Sequence, residues 1–178
     1  MIITLTGFMG CGKSSVGRYL SELLCCPFMD LDTVIEETQG RSIPDIFATD
    51  GEAAFRQMEV EALSQIIEAQ LLRDKVVVAL GGGAVMTPEC AELVREKTHC
   101  IYLHTSVDTL VSHLENEAAG RPMLQGASLR ARIEELMALR SATYEATAHD
   151  VIDTDGKTIE EIAAEINSRG YRLVREDL

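Results

Sequence analysis

Residues 7–14 read Gly7-Phe8-Met9-Gly10-Cys11-Gly12-Lys13-Ser14, a glycine followed by four residues and Gly-Lys-Ser. This spacing restricts the fold more than any other stretch, because it works only between a buried strand and the start of a helix. The apolar run Ile2-Ile3-Thr4-Leu5-Thr6 supplies the strand, and the pattern of residues 13–24 supplies the helix. Glycines 7, 10 and 12 let the loop curl around an oxyanion and turn backbone N–H groups toward it, while the helix N-terminus adds its positive dipole end. Lys13 is expected to reach the β- and γ-phosphates of a nucleotide and Ser14 to ligate the accompanying Mg²⁺. Ser15 and the N–H of Cys11 complete the expected cradle. Cys11, placed where a thiolate is favoured, is also expected to alkylate unless nucleotide covers it.

The remaining composition narrows the partners. A chain of 178 residues is expected to form one domain spanning 1–178, and 46% hydrophobic with 25% charged residues is the balance of a soluble globular protein. A net charge of -13 argues against nucleic acid, whose phosphates need a basic face. The five cysteines show no Cys-x-x-Cys pair or zinc spacing, so reduced thiols in a cytoplasmic enzyme are expected. No apolar run approaches about 18 residues, so no membrane partner is expected, and a monomer is.

Further along, Phe28-Met29-Asp30-Leu31-Asp32 reads as a second strand whose alternation puts Asp30 and Asp32 on one side, at the carboxyl end where open parallel sheets bind ligands. Ser42-Ile43-Pro44-Asp45 starts a helix that Asp50-Gly51 breaks. Phe55, Met58, Ala62 and Ile66 mark the buried face of the next helix, on which Arg56 and Glu59 are spaced to pair. Val76–Leu80 reads as a central parallel strand running into Gly81-Gly82-Gly83, three glycines that let backbone approach a ligand. Thr87-Pro88 opens a helix, Cys100–His104 is a fourth strand, and Ser106 caps a helix fading near Glu115. Apolar periodicity lapses over about 115–128, a lid whose one cation is Arg121, next to Pro122. A long helix from Leu129 to Ala148 carries Arg140, Asp150–Asp153 is a fifth strand, and Thr158-x-x-Glu161 is a capping box. Strands alternating with helices imply an α/β three-layer fold with a parallel sheet.

Phe28-x-Asp30-x-Asp32, Phe55-Arg56-x-x-Glu59, Gly81-Gly82-Gly83, Arg121-Pro122 and Arg140-x-x-x-Tyr144 occur in that order around the phosphate loop. Over roughly residues 2 to 168 the chain resembles the shikimate kinase family. The resemblance implies a P-loop kinase fold with a five-stranded parallel sheet of order 2-3-1-4-5, helices on both faces and a lid. It implies ATP-dependent phosphorylation of the 3-hydroxyl of shikimate, on the route to chorismate and aromatic amino acids. Carried over by position, Asp32, Arg56, Gly81, Gly82, Gly83 and Arg140 bind shikimate, with Glu59 holding Arg56. ATP falls to Gly10, Cys11, Gly12, Lys13, Ser14, Ser15, Arg121 and Lys157, and the Mg²⁺ to Ser14 and, through water, Asp30. Lys13, Asp32 and Arg121 carry the catalytic roles. The chain departs from the family at His113 and Lys157, which stand where arginines are common around the adenine. A gluconate kinase or nucleoside monophosphate kinase would share the loop without the Phe-Arg-x-x-Glu and triple-glycine pair. A nucleotide sensor that had lost its chemistry would not need Lys13, Ser14, Asp32 and Arg121 together.

Overall fold

The computed structural model describes residues 1–70, 75–115 and 128–170. Its core is a five-stranded parallel sheet of order β2-β3-β1-β4-β5, built from β1 (Ile2–Thr6), β2 (Phe28–Asp30), β3 (Val76–Ala79), β4 (His99–His104) and β5 (Asp150–Asp153). The order is the expected one. β1 is flanked on both sides, Ile2 to Leu5 lying against Val76 to Ala79 and Ile3 to Thr6 against His99 to Tyr102. Both β1 and β3 are buried along their whole length because each of their faces is covered.

Strand alternation divides the core in two. Ile2, Val76, Val78, Cys100 and Tyr102 face α2 (Leu31–Gln39), α3 (Ile43–Asp50), α4 (Glu52–Gln70) and α5 (Pro88–Lys97). Ile3, Leu5, Val77, Ile101 and Leu103 face α1 (Lys13–Leu23), α6 (Val107–Leu114) and α8 (Ile159–Ser168). The long α7 (Leu129–Thr147) serves both, giving Ile133 and Leu136 to the second cluster and Tyr144 to the first.

The helix starts follow local chemistry. Ser42, Ser106, Ser128 and Thr158 each accept a backbone N–H in the first turn, and Thr158 with Glu161 forms the full capping box. One expectation is corrected here. β2 ends at Asp30, not Asp32, because the Asp30 side chain accepts from the N–H groups of Asp32 and Thr33 and starts α2 at once. Asp32 thus points from the first turn of a helix, and strand alternation is not what brings it to the site.

The lid expected over 115–128 lies, apart from its two end residues, outside the described residues, and Arg121 with it. Among the described residues no helix is long and apolar enough to cross a membrane.

Packing is close where α1 crosses the sheet. A Cβ built on Gly17 would fall 2.6 Å from the Phe28 ring and 3.2 Å from Leu5. Gly17→Val is therefore expected to overpack this contact by about 1–3 kcal/mol, read as a lowered urea midpoint. A midpoint unchanged from the parent would show that Phe28 moves aside freely.

Candidate active site

All five strands end at the same edge of the sheet, and two adjoining cavities open there. The larger, about 830 Å³, is lined by the loop from Met9 to Ser15, by Asp30 and Asp32, and by Thr109, His113 and Lys157 from the far side. The smaller, about 360 Å³, has an apolar wall of Ile43, Pro44, Phe47 and Phe55 facing Arg56, Glu59 and Arg140. Met9, Asp32, Gly81 and Gly82 line both. Asp32 therefore stands on the wall between them.

The loop is held from within. Lys13, nearly buried, donates from Nζ to the carbonyls of Gly7 at 2.7 Å and Phe8 at 2.9 Å. Gly10 and Gly12 sit at φ 82° and 95°, in the left-handed region that favours glycine. Two expectations change. The Cys11 N–H donates to the Phe8 carbonyl at 3.2 Å, closing a turn inside the loop. Cys11 is 4% exposed and belongs to the core cluster behind the loop, so ready alkylation does not follow from its helix-terminal position.

Ser14 Oγ donates to Asp30 Oδ2 at 2.5 Å, while Oδ1 of the same carboxylate caps α2. A hydroxyl and a carboxylate oxygen side by side are hard oxygen donors, the set a Mg²⁺ that keeps most of its water can use. Among the described residues no group of three or more His, Cys, Asp or Glu converges as a metal cage. The residues present thus fit a metal carried in with a phosphate ligand.

At the smaller cavity α4 presents Arg56 and Glu59, with Glu52 one turn before Arg56. Arg56 donates to Glu59 Oε2 at 2.7 Å and to Glu52 at 3.2 Å. Arg140, 4% exposed, comes from α7 and lies over the Phe8 ring, 5.9 Å from its centroid. Arg140 Nη1, Asp32 Oδ1 and Glu59 Oε1 are buried with no hydrogen-bond partner among the described residues. Burial pushes the Asp32 carboxyl up to about 6, the Asp30 charge adds to this, and Lys13 and Arg56 oppose it. Burial likewise raises Glu59, with the Arg56 guanidinium pulling the other way.

The three glycines have distinct reasons. A Cβ on Gly81 would lie 2.7 Å from Glu59 Oε1 and 2.9 Å from Asp32 Oδ1. On Gly82 it would meet the Met9 nitrogen at 3.1 Å, and on Gly83 the Arg56 Cζ at 2.8 Å. Only a backbone without side chains lets both carboxylates and the guanidinium converge. The Gly82 carbonyl also accepts from the Tyr144 hydroxyl, a contact that sequence reasoning missed although Tyr144 belongs to the Arg140-x-x-x-Tyr144 motif. Its signal was the i, i+4 spacing on α7.

Lys157 lines the larger cavity but is tied to Glu165 at 2.7 Å. His113 reaches the loop, its Nδ1 lying 2.7 Å from the Gly10 carbonyl. Every expected site residue within the described set therefore borders one of the two cavities.

A phosphate loop on a parallel sheet, opening onto a second, arginine-lined cavity, defines a P-loop kinase of small molecules. A family model described as shikimate kinase matches residues 9–169. A shikimate kinase of Thermus thermophilus is 39% identical over 96% of this chain and 90% of its own length. That of Geobacter metallireducens is 42% identical over 95% and 90%. The structure of shikimate kinase from Acinetobacter baumannii in complex with shikimate superposes with a TM-score of 0.87 at 32% identity, covering 96% of this chain and 95% of that one. The chain belongs to the shikimate kinase family.

Asp32 yields a prediction on stability. A carboxyl held near 6 in the folded protein but near 3.9 unfolded binds more protons when folded, so its stabilising neutral form is complete below about pH 4 and lost as pH rises through about 6. Asp32→Asn is expected to raise the melting temperature of the ligand-free protein by a few degrees at about pH 8, with the gain vanishing toward about pH 4. Equal melting temperatures at the higher pH would show that the carboxylate is not under strain.

Proposed function

We infer that this protein catalyses the ATP-dependent phosphorylation of shikimate, at its 3-hydroxyl. One observation carries the reading beyond family membership: the wall shared by the phosphate-loop cavity and the arginine-lined cavity is where Asp32 stands. Shikimate is a carboxylate with three ring hydroxyls, so two guanidiniums suit its acid end and a buried carboxylate its hydroxyls.

In the proposed mechanism Arg140 and Arg56 bind the shikimate carboxylate, and Glu59 and Glu52 fix the Arg56 fork. The Gly81-Gly82-Gly83 backbone bounds the ring on one side and Phe47 with Phe55 on the other. Asp32 accepts a hydrogen bond from the attacking hydroxyl and takes its proton as the new P–O bond forms. The bond from the γ-phosphorus to the β-bridging oxygen breaks and ADP leaves. Lys13, redirected from the Gly7 and Phe8 carbonyls, neutralises charge on the transferring group, and loop N–H groups at Gly10, Gly12 and Ser14 hold the β-phosphate. Ser14 and Asp30 would hold the Mg²⁺, directly and through water, and the ion would supply neutralisation of phosphate charge when bound. From sequence resemblance we assign the same electrostatic task to Arg121. Lys157 borders the nucleotide base. The five cysteines are all free thiols, which supports a reducing, cytoplasmic setting.

A coupled ADP-release assay comparing shikimate, gluconate and nucleoside monophosphates tests the substrate, and turnover with any but shikimate as the preferred acceptor overturns it. Arg140→Lys is expected to raise KM for shikimate about tenfold or more with kcat less affected, because an ammonium cannot reproduce a bidentate fork. An unchanged KM would remove Arg140 from the site. The acid limb of kcat/KM is expected near pH 6, where Asp32 of the free enzyme ionises, with activity falling below it. In Asp32→Asn that limb should disappear along with most of kcat, and a parental limb in the residual activity would assign the titration to another group.

A further inference from the structure

Two adjacent cysteines, Cys25 and Cys26, stand just past the end of α1, about 16 Å along the helix axis from the phosphate loop. Both are free thiols, Cys25 exposed and Cys26 half-buried, whereas Cys11, Cys90 and Cys100 are buried in the core. Reachable thiol chemistry is therefore confined to this pair, which borders neither cavity of the candidate active site.

The backbone of the pair is fixed from both sides. The Cys25 N–H donates to the Glu22 carbonyl at 3.1 Å and the Cys26 N–H to the Ser21 carbonyl at 3.0 Å, the two bonds of a Schellman closure, with Cys25 at φ 50°. Pro27 favours extended backbone at Cys26, and its carbonyl accepts from the Val77 N–H at 3.0 Å, which ties the next residue to β3. The two thiols also sense one another: burial raises the Cys26 thiol, the Lys75 ammonium opposes this, and neighbouring Cys25 adds to the rise. Cys26 accordingly enters a reaction as S–H.

The spacing selects the ligand. Adjacent Cα atoms lie about 3.8 Å apart across a trans peptide, whereas those joined by a disulfide usually lie about 4.4–6.8 Å apart, so direct S–S closure needs the fixed turn to distort. A bridging atom that bonds each sulfur separately widens the ring and removes that demand. Two-coordinate Cu(I) or Hg(II) places its sulfurs on opposite sides, which a fixed turn between neighbours does not offer. Zn²⁺ takes four ligands, and among the described residues no group of three or more His, Cys, Asp or Glu converges. Trivalent arsenic is pyramidal, holds two sulfurs close to a right angle and leaves its third position to oxygen or an organic group.

We propose that Cys25 and Cys26 form a dithiol site for trivalent arsenicals, separate from the site of phosphoryl transfer. With an organic arsenoxide each sulfur forms one bond to arsenic, the arsenic–oxygen double bond is lost, and the two S–H protons leave with the oxygen as one water. Arsenic stays trivalent, so no oxidant or reductant is needed.

The test is native mass spectrometry of the full chain with phenylarsine oxide in a large excess of glutathione, for wild type, Cys25→Ser and Cys26→Ser. Wild type is expected to carry one phenylarsenic group per chain, lighter by two protons than simple addition gives, and to lose it to 2,3-dimercaptopropanol. A single remaining thiol competes with the bulk monothiol without a neighbour's help, so each serine variant should bind about a hundredfold more weakly or worse. ADP release with shikimate should match wild type in both variants, which also reports that they fold. No adduct on wild type, or an adduct of parental strength on either variant, overturns the proposal and leaves the kinase reading untouched. A chain that air alone converts to a Cys25–Cys26 disulfide overturns the spacing argument on which the choice of ligand rests.

Discussion

Strand β1 is paired in parallel on both sides, and nearly everything else about the site is a consequence. A parallel strand must return through a crossover before its neighbour can form, so the segments leaving β1, β2, β3 and β5 all depart from one edge. That edge collects the phosphate loop, the Asp30 cap of α2, the triple glycine and the β5–α8 turn. The apolar faces on either side of the sheet fix the loops only at their roots. What happens between the roots is left to local polar chemistry, and there Lys13, Asp30 and His113 set the geometry.

The second constraint is steric. Three charged side chains from two helices have to meet a backbone that itself must pass close to the phosphate loop. Glu59 and Arg56 arrive from α4 and Asp32 from α2, and each occupies the space where a Cβ of the Gly81–Gly83 run would stand. The Gly82 carbonyl is then fixed from the opposite side by Tyr144, whose ring stacks on Tyr102 of β4 at 5.2 Å. The smaller cavity is thus formed as much by missing side chains as by those present.

Much of this was legible in the sequence because the relevant signals are local. A five-residue apolar strand before a phosphate loop, serine caps and the Thr158-x-x-Glu161 box announce themselves within a few residues, and β5 and the start of α7 came out where expected. Asp32 shows where local reading goes astray. Asp-x-Asp after an aromatic residue fits both a strand and a capped helix, and the capping hydrogen bonds prevailed because β2, an edge strand, is only three residues long. Asp30 and Asp32 do line one cavity, but through the capped start of α2 and not through strand alternation. The Gly10–His113 clamp and the burial of Cys11 depend on packing across more than a hundred residues or across the sheet, and nothing in the local pattern encodes them.

Selectivity follows from what the free site leaves unpaired. Arg140 Nη1, Asp32 Oδ1 and Glu59 Oε1 are all buried without partners among the described residues. A buried polar atom left unpaired costs about 1–3 kcal/mol, more when charged, whereas one good hydrogen bond contributes only about half of that net. An acceptor that fills the cavity but lacks a carboxylate would keep Arg140 dry and unsatisfied, and one lacking the hydroxyl would do the same to Asp32. Rejection of such analogues then comes from their failure to relieve an existing strain, which discriminates more steeply than added attraction does. The burial that raises the Asp32 carboxyl acts in the same direction, since it disfavours a charged oxygen left without a partner in the free protein.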